Sequence, residues 1–291
     1  MAEPVRILVL GASGMLGTAM LRTFASSEGF RVIGAVRSAS PRLAAIAEGA
    51  ELIAGFDAAN SDSLAEVFAQ SRPDVAINCV GLIKQLSGGN TVASAVPINT
   101  LLPHRLANLA TIAGARLVHV STDCVFSGSK GLYRESDTPD ATDVYGLSKY
   151  LGEVGEDSAV TLRTSIIGHE LYSSNGLIEW FLSQKQGIRG YTRAIFSGLP
   201  TAELARVIRD HVLPDASLTG LYHVSAAPIA KYDLLRLVGQ AYGHDIPIEG
   251  DDSLKIDRSL NSDRFRKATG YTPPSWPDLV GIMKASRMER H

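Results

Sequence analysis

Cysteine is nearly absent from this 291-residue chain: only Cys79 and Cys124 occur. Two thiols cannot build the disulfide framework of a small secreted domain, and they suit a reducing compartment. An excess of one charge is also lacking. The 28 Lys and Arg against 30 Asp and Glu give a formal net charge of -2, so the chain offers no basic field for nucleic acid. No apolar run reaches the roughly 18 residues of a membrane span. The N-terminus enters a strand at Val5 without a secretory pattern. The seven His are scattered without ligand spacing, so no metal is expected. These absences lead to an expectation of a cytoplasmic protein that handles a small molecule.

What is present is ordinary globular composition, 45% hydrophobic and 20% charged, with length for a sizeable core. The apolar run from Val5 to Leu10 meets Gly11-Ala12-Ser13-Gly14-Met15-Leu16-Gly17, and a helix-like stretch follows from Thr18 to Phe24. Strand, glycine turn and helix form a phosphate-binding opening. Gly11 permits the tight turn, Gly14 lets backbone N–H groups approach a pyrophosphate, and Gly17 lets helix and strand pack closely. Ser13, Met15 and Leu16 lie in the same turn and join them as candidate cofactor contacts. The alternative for the triplet alone is a strand–helix turn with no ligand.

A second strand, Phe30 to Ser38, ends in Arg37 and Ser38, where an acidic residue would hold the ribose 2′-OH of NAD. A guanidinium suits a 2′-phosphate, which favours NADPH over NADH. The competing reading is a solvated surface arginine. A third short strand ends at Asp57, placed either to reach an adenine edge or to cap the helix starting near Ser61 to Ser63. The fourth, Pro73 to Gly81, brings Cys79, Val80 and Gly81 beside a cofactor, the glycine marking close backbone approach. Lys84 follows as a candidate substrate contact, with an exposed lysine as the default. Asn99 to Ala113 reads as a helix, and Arg116 to Val120 as a fifth strand leading into Ser121-Thr122. This alternation predicts an α/β fold with a parallel, doubly wound sheet, whose ligands lie at the carboxyl ends of the strands.

Tyr145 and Lys149 stand four apart in a helix-like stretch and so share a face. With Thr122 at a strand end they make a candidate proton-transfer group. In the second half, Ala159 to Gly168 reads as a strand, Gly176 to Gln186 as an amphipathic helix, and Gly190 to Thr201 as a loop. Thr201 is expected to cap Ala202 to His211. Gly220 to Ser225 reads as a strand and Lys231 to Tyr242 as a helix. The expected division is residues 1–158, mainly dinucleotide-binding, and 159–291, mainly a substrate lobe, with some segments returning to the first part.

The ordered set Gly11-x-x-Gly14-x-x-Gly17, Ser121-Thr122-Asp123 and Tyr145-x-x-x-Lys149 resembles the extended short-chain dehydrogenase/reductase family. Ser121 to Phe126, Tyr145 to Glu153, Leu162-Arg163-Thr164-Ser165 and Gly198-Leu199-Pro200-Thr201 with Glu203-Leu204 resemble its dTDP-4-dehydrorhamnose reductase group. The resemblance implies a Rossmann-type sheet with a smaller, interwoven lobe. It also implies NADPH-dependent reduction of the C4 ketone of a nucleotide-linked 4-keto-6-deoxy sugar, in the making of cell-surface polysaccharide. Tyr145 would protonate the alkoxide, and Thr122 would hydrogen-bond the substrate oxygen. Lys149 would bond the nicotinamide ribose and lower the phenol by about 3 units, roughly 4 kcal/mol. Asp123 and Cys124 fall among the substrate contacts. Cys124 stands where related reductases carry tyrosine. Asp123-Cys124 also replaces the Asp-Glu pair of the related dehydratases, which argues against dehydration. The diphosphate needs cationic partners. Lys185, Arg189, Arg193 and Arg258 are candidates, with Arg193 and Arg258 ranked first. A 4-epimerase or dehydrogenase of another nucleotide sugar, and a non-catalytic binding subunit, are the competing readings; a homodimer stays open as the assembly.

Overall fold

The first strand, β1 (Val5–Leu10), sends Ile7 and Val9 to one face of a sheet and Leu8 and Leu10 to the other, all four fully buried. A strand buried on both faces belongs inside a parallel sheet flanked by helices. It lies there in the computed structural model of the protein, which describes residues 3–82, 91–155, 159–172 and 174–287. The other strands of this sheet are β2 (Phe30–Ala35), β3 (Glu51–Ile53), β4 (Val75–Asn78), β5 (Arg116–Thr122), β6 (Ala159–Thr164) and β7 (Gly220–His223). All pairs are parallel, in the order β7-β6-β5-β4-β1-β2-β3. Strand order reverses between β1 and β4, which opens a crevice at their carboxyl ends. Both β6 and β7 come from the second half of the chain.

One face is covered by α1 (Met15–Ala25), whose Leu16, Met20, Leu21 and Phe24 pack with Leu204, Ile208 and Met283 from helices late in the chain. The other is covered by α3 (Ser61–Ser71) and α4 (Leu102–Ala113) through Leu64, Val67, Phe68, Leu102 and Leu106. The short α2 (Pro41–Ile46) lies between β2 and β3 in the chain. Burying each large apolar side chain contributes roughly 1.5–3 kcal/mol. Among the described residues no helix is long and apolar enough to cross a membrane.

Several local expectations change. The helix expected from Asn99 begins as a wider turn over Val96–Leu101, where the Leu102 N–H reaches back to the Pro97 carbonyl. Thr201 does not cap a helix; it is the first residue of one (Thr201–Val207), preceded by Pro200, whose fixed φ suits the entry. Asn60 caps α3 by accepting from Asp62 and Ser63 N–H, so Asp57 is not the cap. The stretch 190–201 is not a loop. It holds half of a strand at Ile188–Tyr191 and all of Ala194–Phe196 and Leu199–Pro200, paired with Ile248–Asp251, with Ile229–Ala230 and Ile256–Asp257, and with Ile166–Ile167.

Candidate active site

The turn after β1 fits a pyrophosphate. Gly11 has φ +75°, where only glycine is unstrained, and a Cβ there would stand 3.0 Å from Val80 Cγ2. A Cβ on Gly17 would collide with the Gly11 carbonyl and stand 2.7 Å from Ala12 Cα. Gly14 precedes α1 with no side-chain cap, so the N–H groups of Met15, Leu16 and Gly17 have no side chain to accept from them. An 11-residue helix aims its positive end at this point. The side chain of Ser13 lies in the same turn. Arg37 and Ser38 are exposed past the end of β2, and Arg37 makes no ion pair among the described residues. Asp57 is exposed beyond β3 and accepts from Ala59 N–H at 2.9 Å, a local turn.

Past β4, Cys79 is pushed up to about 12 by burial, against the opposing pull of Lys149. Val80 N–H is held by the Asn78 side chain at 3.0 Å. A Cβ on Gly81 would lie 4.0 Å from Lys149 Nζ, which places this loop against the lysine. The expectation at Lys84 lies outside the described residues.

Lys149 and Tyr145 sit on α5 (Val144–Leu151), started by Asp143, whose carboxylate accepts from Gly146 N–H at 3.0 Å. Lys149 is 5% exposed and donates to the Val120 carbonyl at 3.0 Å, on the last turn of β5 before Thr122. Burial brings its ammonium down to about 8, against the pull of Glu153 and Cys79. Thr122 ends β5 and hydrogen-bonds the half-buried Tyr145 phenol. The expected acidification of Tyr145 is not what the site does. Burial pushes the phenol well above its ordinary value, Cys124, Asp123 and Asp143 add to this, and the Thr122 bond alone opposes it. Lys149 also acts on Cys79, just past β4, and on His119, within β5, lowering the first against burial and the second along with it. A phenol held this way stays protonated at neutral pH, as a proton donor to an alkoxide must.

The C-terminal part of the chain reaches the site through a strap at residues 257–261. Asp257 N–H donates to the Gly128 carbonyl at 2.7 Å and Tyr133 N–H to Ser259 at 2.9 Å. This lays Arg258 beside the loop after β5. Its Nε donates to the Phe126 carbonyl at 2.7 Å and its Nη1 to Cys124 Sγ at 3.8 Å. Asp123 is buried, and burial raises its carboxyl above the usual range, against Arg258, bonds from Cys124 and Thr122, and Lys231. Asp123, Cys124 and Arg258 are thus brought to Thr122 and Tyr145. Arg193 lies at the turn before Ala194, where its carbonyl accepts from Ile256 N–H at 3.1 Å beside the same strap; its side chain is exposed and forms no hydrogen bond or ion pair among the described residues.

Three groups escaped the sequence reading. Asn99 is buried in the widened turn before α4. Its side chain holds Leu82 N–H at 2.9 Å and Ser148 Oγ at 3.1 Å, tying the loop after β4 to α5 between Tyr145 and Lys149. A lone Asn in the apolar run Val96 to Leu102 was the available signal. Glu153 is bound by Arg163 at 2.6 Å and accepts from Ser121 Oγ at 2.7 Å, pinning the ends of β5 and β6 to the residues after α5. Lys231 opens a helix and acts on Asp123. A separate cavity of about 470 Å³, lined by Met15, Arg22, Arg206, Arg209 and Ile282 among others, contains none of Thr122, Tyr145 or Lys149. No group of three or more His, Cys, Asp or Glu gathers as a metal site among the described residues.

A glycine turn at the head of α1 and a Thr–Tyr–Lys group at the carboxyl edge of a parallel sheet define an NAD(P)-dependent oxidoreductase of the extended short-chain dehydrogenase/reductase type. Comparison with known proteins narrows this. Residues 5–262 match the family model described as RmlD substrate binding domain, and the chain belongs to that family. It is 26% identical over 293 residues to the spore coat polysaccharide biosynthesis protein SpsK of Bacillus subtilis, covering 94% of this chain and 95% of that one. It is 28% identical over 309 residues to methionine adenosyltransferase 2 subunit beta of Xenopus tropicalis, covering 94% and 88%. The crystal structure of dTDP-4-dehydrorhamnose reductase from Bacillus anthracis in complex with NADP superposes with a TM-score of 0.80 at 19% identity, over 98% of this chain and 100% of that one. At that identity the likeness is one of fold.

Proposed function

We propose that this chain uses NADPH to reduce the C4 ketone of a nucleotide-linked 4-keto-6-deoxy sugar, within the broader class of sugar-nucleotide reductases, in the making of a surface polysaccharide. The observation that carries the reading is Tyr145 hydrogen-bonded to Thr122 at the end of β5, with Lys149 on the same helix and Arg258 beside the loop that follows. Residues 1–158 mainly bind the dinucleotide, and residues 159–291 mainly bind the sugar nucleotide. The bound nicotinamide supplies hydride to the carbonyl carbon. Tyr145 donates its proton to the oxygen as charge grows there. Lys149 holds ribose hydroxyls and keeps a positive charge near the site. The α1 N-terminus binds the pyrophosphate, Arg37 the 2′-phosphate, and Arg258 the substrate diphosphate. The reductase name of a relative from Aggregatibacter actinomycetemcomitans, 25% identical over 306 residues, supports the substrate class.

The test is NADPH oxidation against a panel of nucleotide-linked 4-ketosugars that includes dTDP-4-dehydrorhamnose. Tyr145→Phe is expected to cut turnover at least about a hundredfold, a general-acid-sized loss, with NADPH binding near normal. Full turnover in that variant removes the phenol from its role. A second reading has its own support: the subunit name of the Xenopus relative favours a non-catalytic partner. Its mark is NADPH binding without turnover of any 4-ketosugar. A 4-epimerase would instead retain bound nicotinamide through purification.

A further inference from the structure

The chain after β6 pairs over Ile166–Ile167 with Leu199–Pro200 and then runs across the head of α1. A Cβ on Gly168 would stand 3.5 Å from Met15 Sδ, and one on Gly176 3.0 Å from Met15 Cε, so this stretch lies against the residue that follows Gly14 in the glycine turn. It is firmly placed. His169 is buried, with Nδ1 2.6 Å from Glu179 Oε1 and Nε2 2.8 Å from the Tyr242 hydroxyl. Leu171 is buried in the core that α1 shares. Tyr172 is exposed, and its hydroxyl hydrogen-bonds the side chain of Ser40. Residues 168–172 thus bridge from the head of α1 to the loop after β2, where Ser40 follows Arg37 and Ser38. A dinucleotide with its pyrophosphate at the glycine turn and its adenosine ribose at the end of β2 runs between the same two points.

The bridge leaves one donor over. Ser and Tyr hydroxyls carry one hydrogen each. Ser40 Oγ accepts from Leu43 N–H at 3.1 Å. In the Ser40–Tyr172 bond one hydroxyl donates and the other keeps its hydrogen, whichever way round the pair is set. No protein acceptor takes that hydrogen among the described residues. Arg37 and Arg42 flank Ser40 in the chain, and neither forms an ion pair among the described residues. A spare O–H beside guanidiniums suits an anionic oxygen better than a neutral one.

We propose that Tyr172 is a specificity-determining residue of the cofactor site: its hydroxyl, with that of Ser40, joins Arg37 and Ser38 in holding the 2′-phosphate of NADPH. This rests on the NADPH reading of the proposed function. It also carries a residue from the second half of the chain to the adenosine end of the cofactor.

The test is a fluorescence titration of the full chain with NADPH and with NADH, and displacement of NADPH by adenosine 2′,5′-bisphosphate and by 5′-AMP. None of these measurements needs turnover. Tyr172→Phe keeps the exposed ring and removes only the hydroxyl. It is expected to weaken NADPH and adenosine 2′,5′-bisphosphate roughly tenfold, with NADH and 5′-AMP changed less than about twofold and the melting temperature unmoved. Arg37→Ala in the same titrations reports on the cofactor reading itself. A preference for NADPH that Arg37→Ala removes and Tyr172→Phe leaves intact refutes the role of Tyr172 and spares that reading. An unaltered chain that binds NADH as tightly as NADPH refutes both. Equal losses of NADPH and NADH in Tyr172→Phe place the phenol on the pyrophosphate or ribose that the two share, and overturn the assignment.

Discussion

Lys149 holds its proton weakly. Burial brings the ammonium from an ordinary 10.5 to about 8. Between those values the unfolded chain binds the proton and the folded chain does not, so this group's contribution to stability rises with pH across that window. Function runs the other way. Below about 8 the ammonium is present to hold ribose hydroxyls; above it a neutral amine takes its place. Turnover is therefore expected to fall as pH is raised through about 8, while thermal unfolding shows no weakening from this residue. A pH–rate profile paired with melting curves checks both limbs, and Lys149→Met should leave turnover low and flat through the same range. Arg37 belongs to this scale too. It is exposed at a strand end and makes no ion pair among the described residues, so Arg37→Ala is expected to weaken NADPH binding by roughly tenfold or more and NADH binding far less, a charge-assisted bond's worth. Equal losses in a fluorescence titration would remove the 2′-phosphate contact.

At the scale of elements, the site is a joint between β5, β6 and α5, and Glu153 is its pin. Its carboxylate is 10% exposed and paired with Arg163, itself 3% exposed, at 2.6 Å. Ser121, next to Thr122, donates to it as well. Removing one partner of a buried pair strands the other charge, at a cost of about 3–5 kcal/mol. Glu153→Gln is expected to lower stability by that order in chemical denaturation and to cut turnover, because the end of β5 carries Thr122 and the carbonyl that orients Lys149. The pin was not legible as a pair in the sequence: Glu153 and Arg163 each fall in a stretch that carries the family resemblance, but only the fold buries them together. The glycine turn and the Tyr145–Lys149 spacing were legible because their chemistry is local: one turn, one helical face. The strands at Ile188–Tyr191 and Ala194–Phe196 were not, since each is only three or four residues long and pairs with residues some sixty positions away. The polarity of the Tyr145 environment was also hidden. Spacing places an ammonium one helical turn from the phenol, but only the fold turns it toward Val120 and buries the phenol among acidic neighbours.

Taken as a whole, the molecule brings residues from opposite ends of the chain to one crevice, and Arg258 is where this is tested. Thr122 and Tyr145 sit on the large sheet and the helix beside it, whereas Arg258 arrives on the strap of residues 257–261, anchored by backbone bonds to Gly128 and Tyr133. The strap holds without the guanidinium, because its anchors are main-chain groups. The loss of Arg258 should therefore be felt by the ligand more than by the fold. The side chain spends Nε on the Phe126 carbonyl and Nη1 on Cys124, and its charge also acts on Asp123. A diphosphate seated there would gain charge-assisted bonds worth about 1.5–3 kcal/mol. Arg258→Ala is thus expected to raise the KM for dTDP-4-dehydrorhamnose by roughly ten- to a hundredfold, leave the KM for NADPH nearly unchanged, and shift the melting temperature little. If the loss fell on NADPH, the guanidinium would belong to the cofactor side of the crevice, and the assignment of the two halves of the chain to two ligands would have to be reversed at this point.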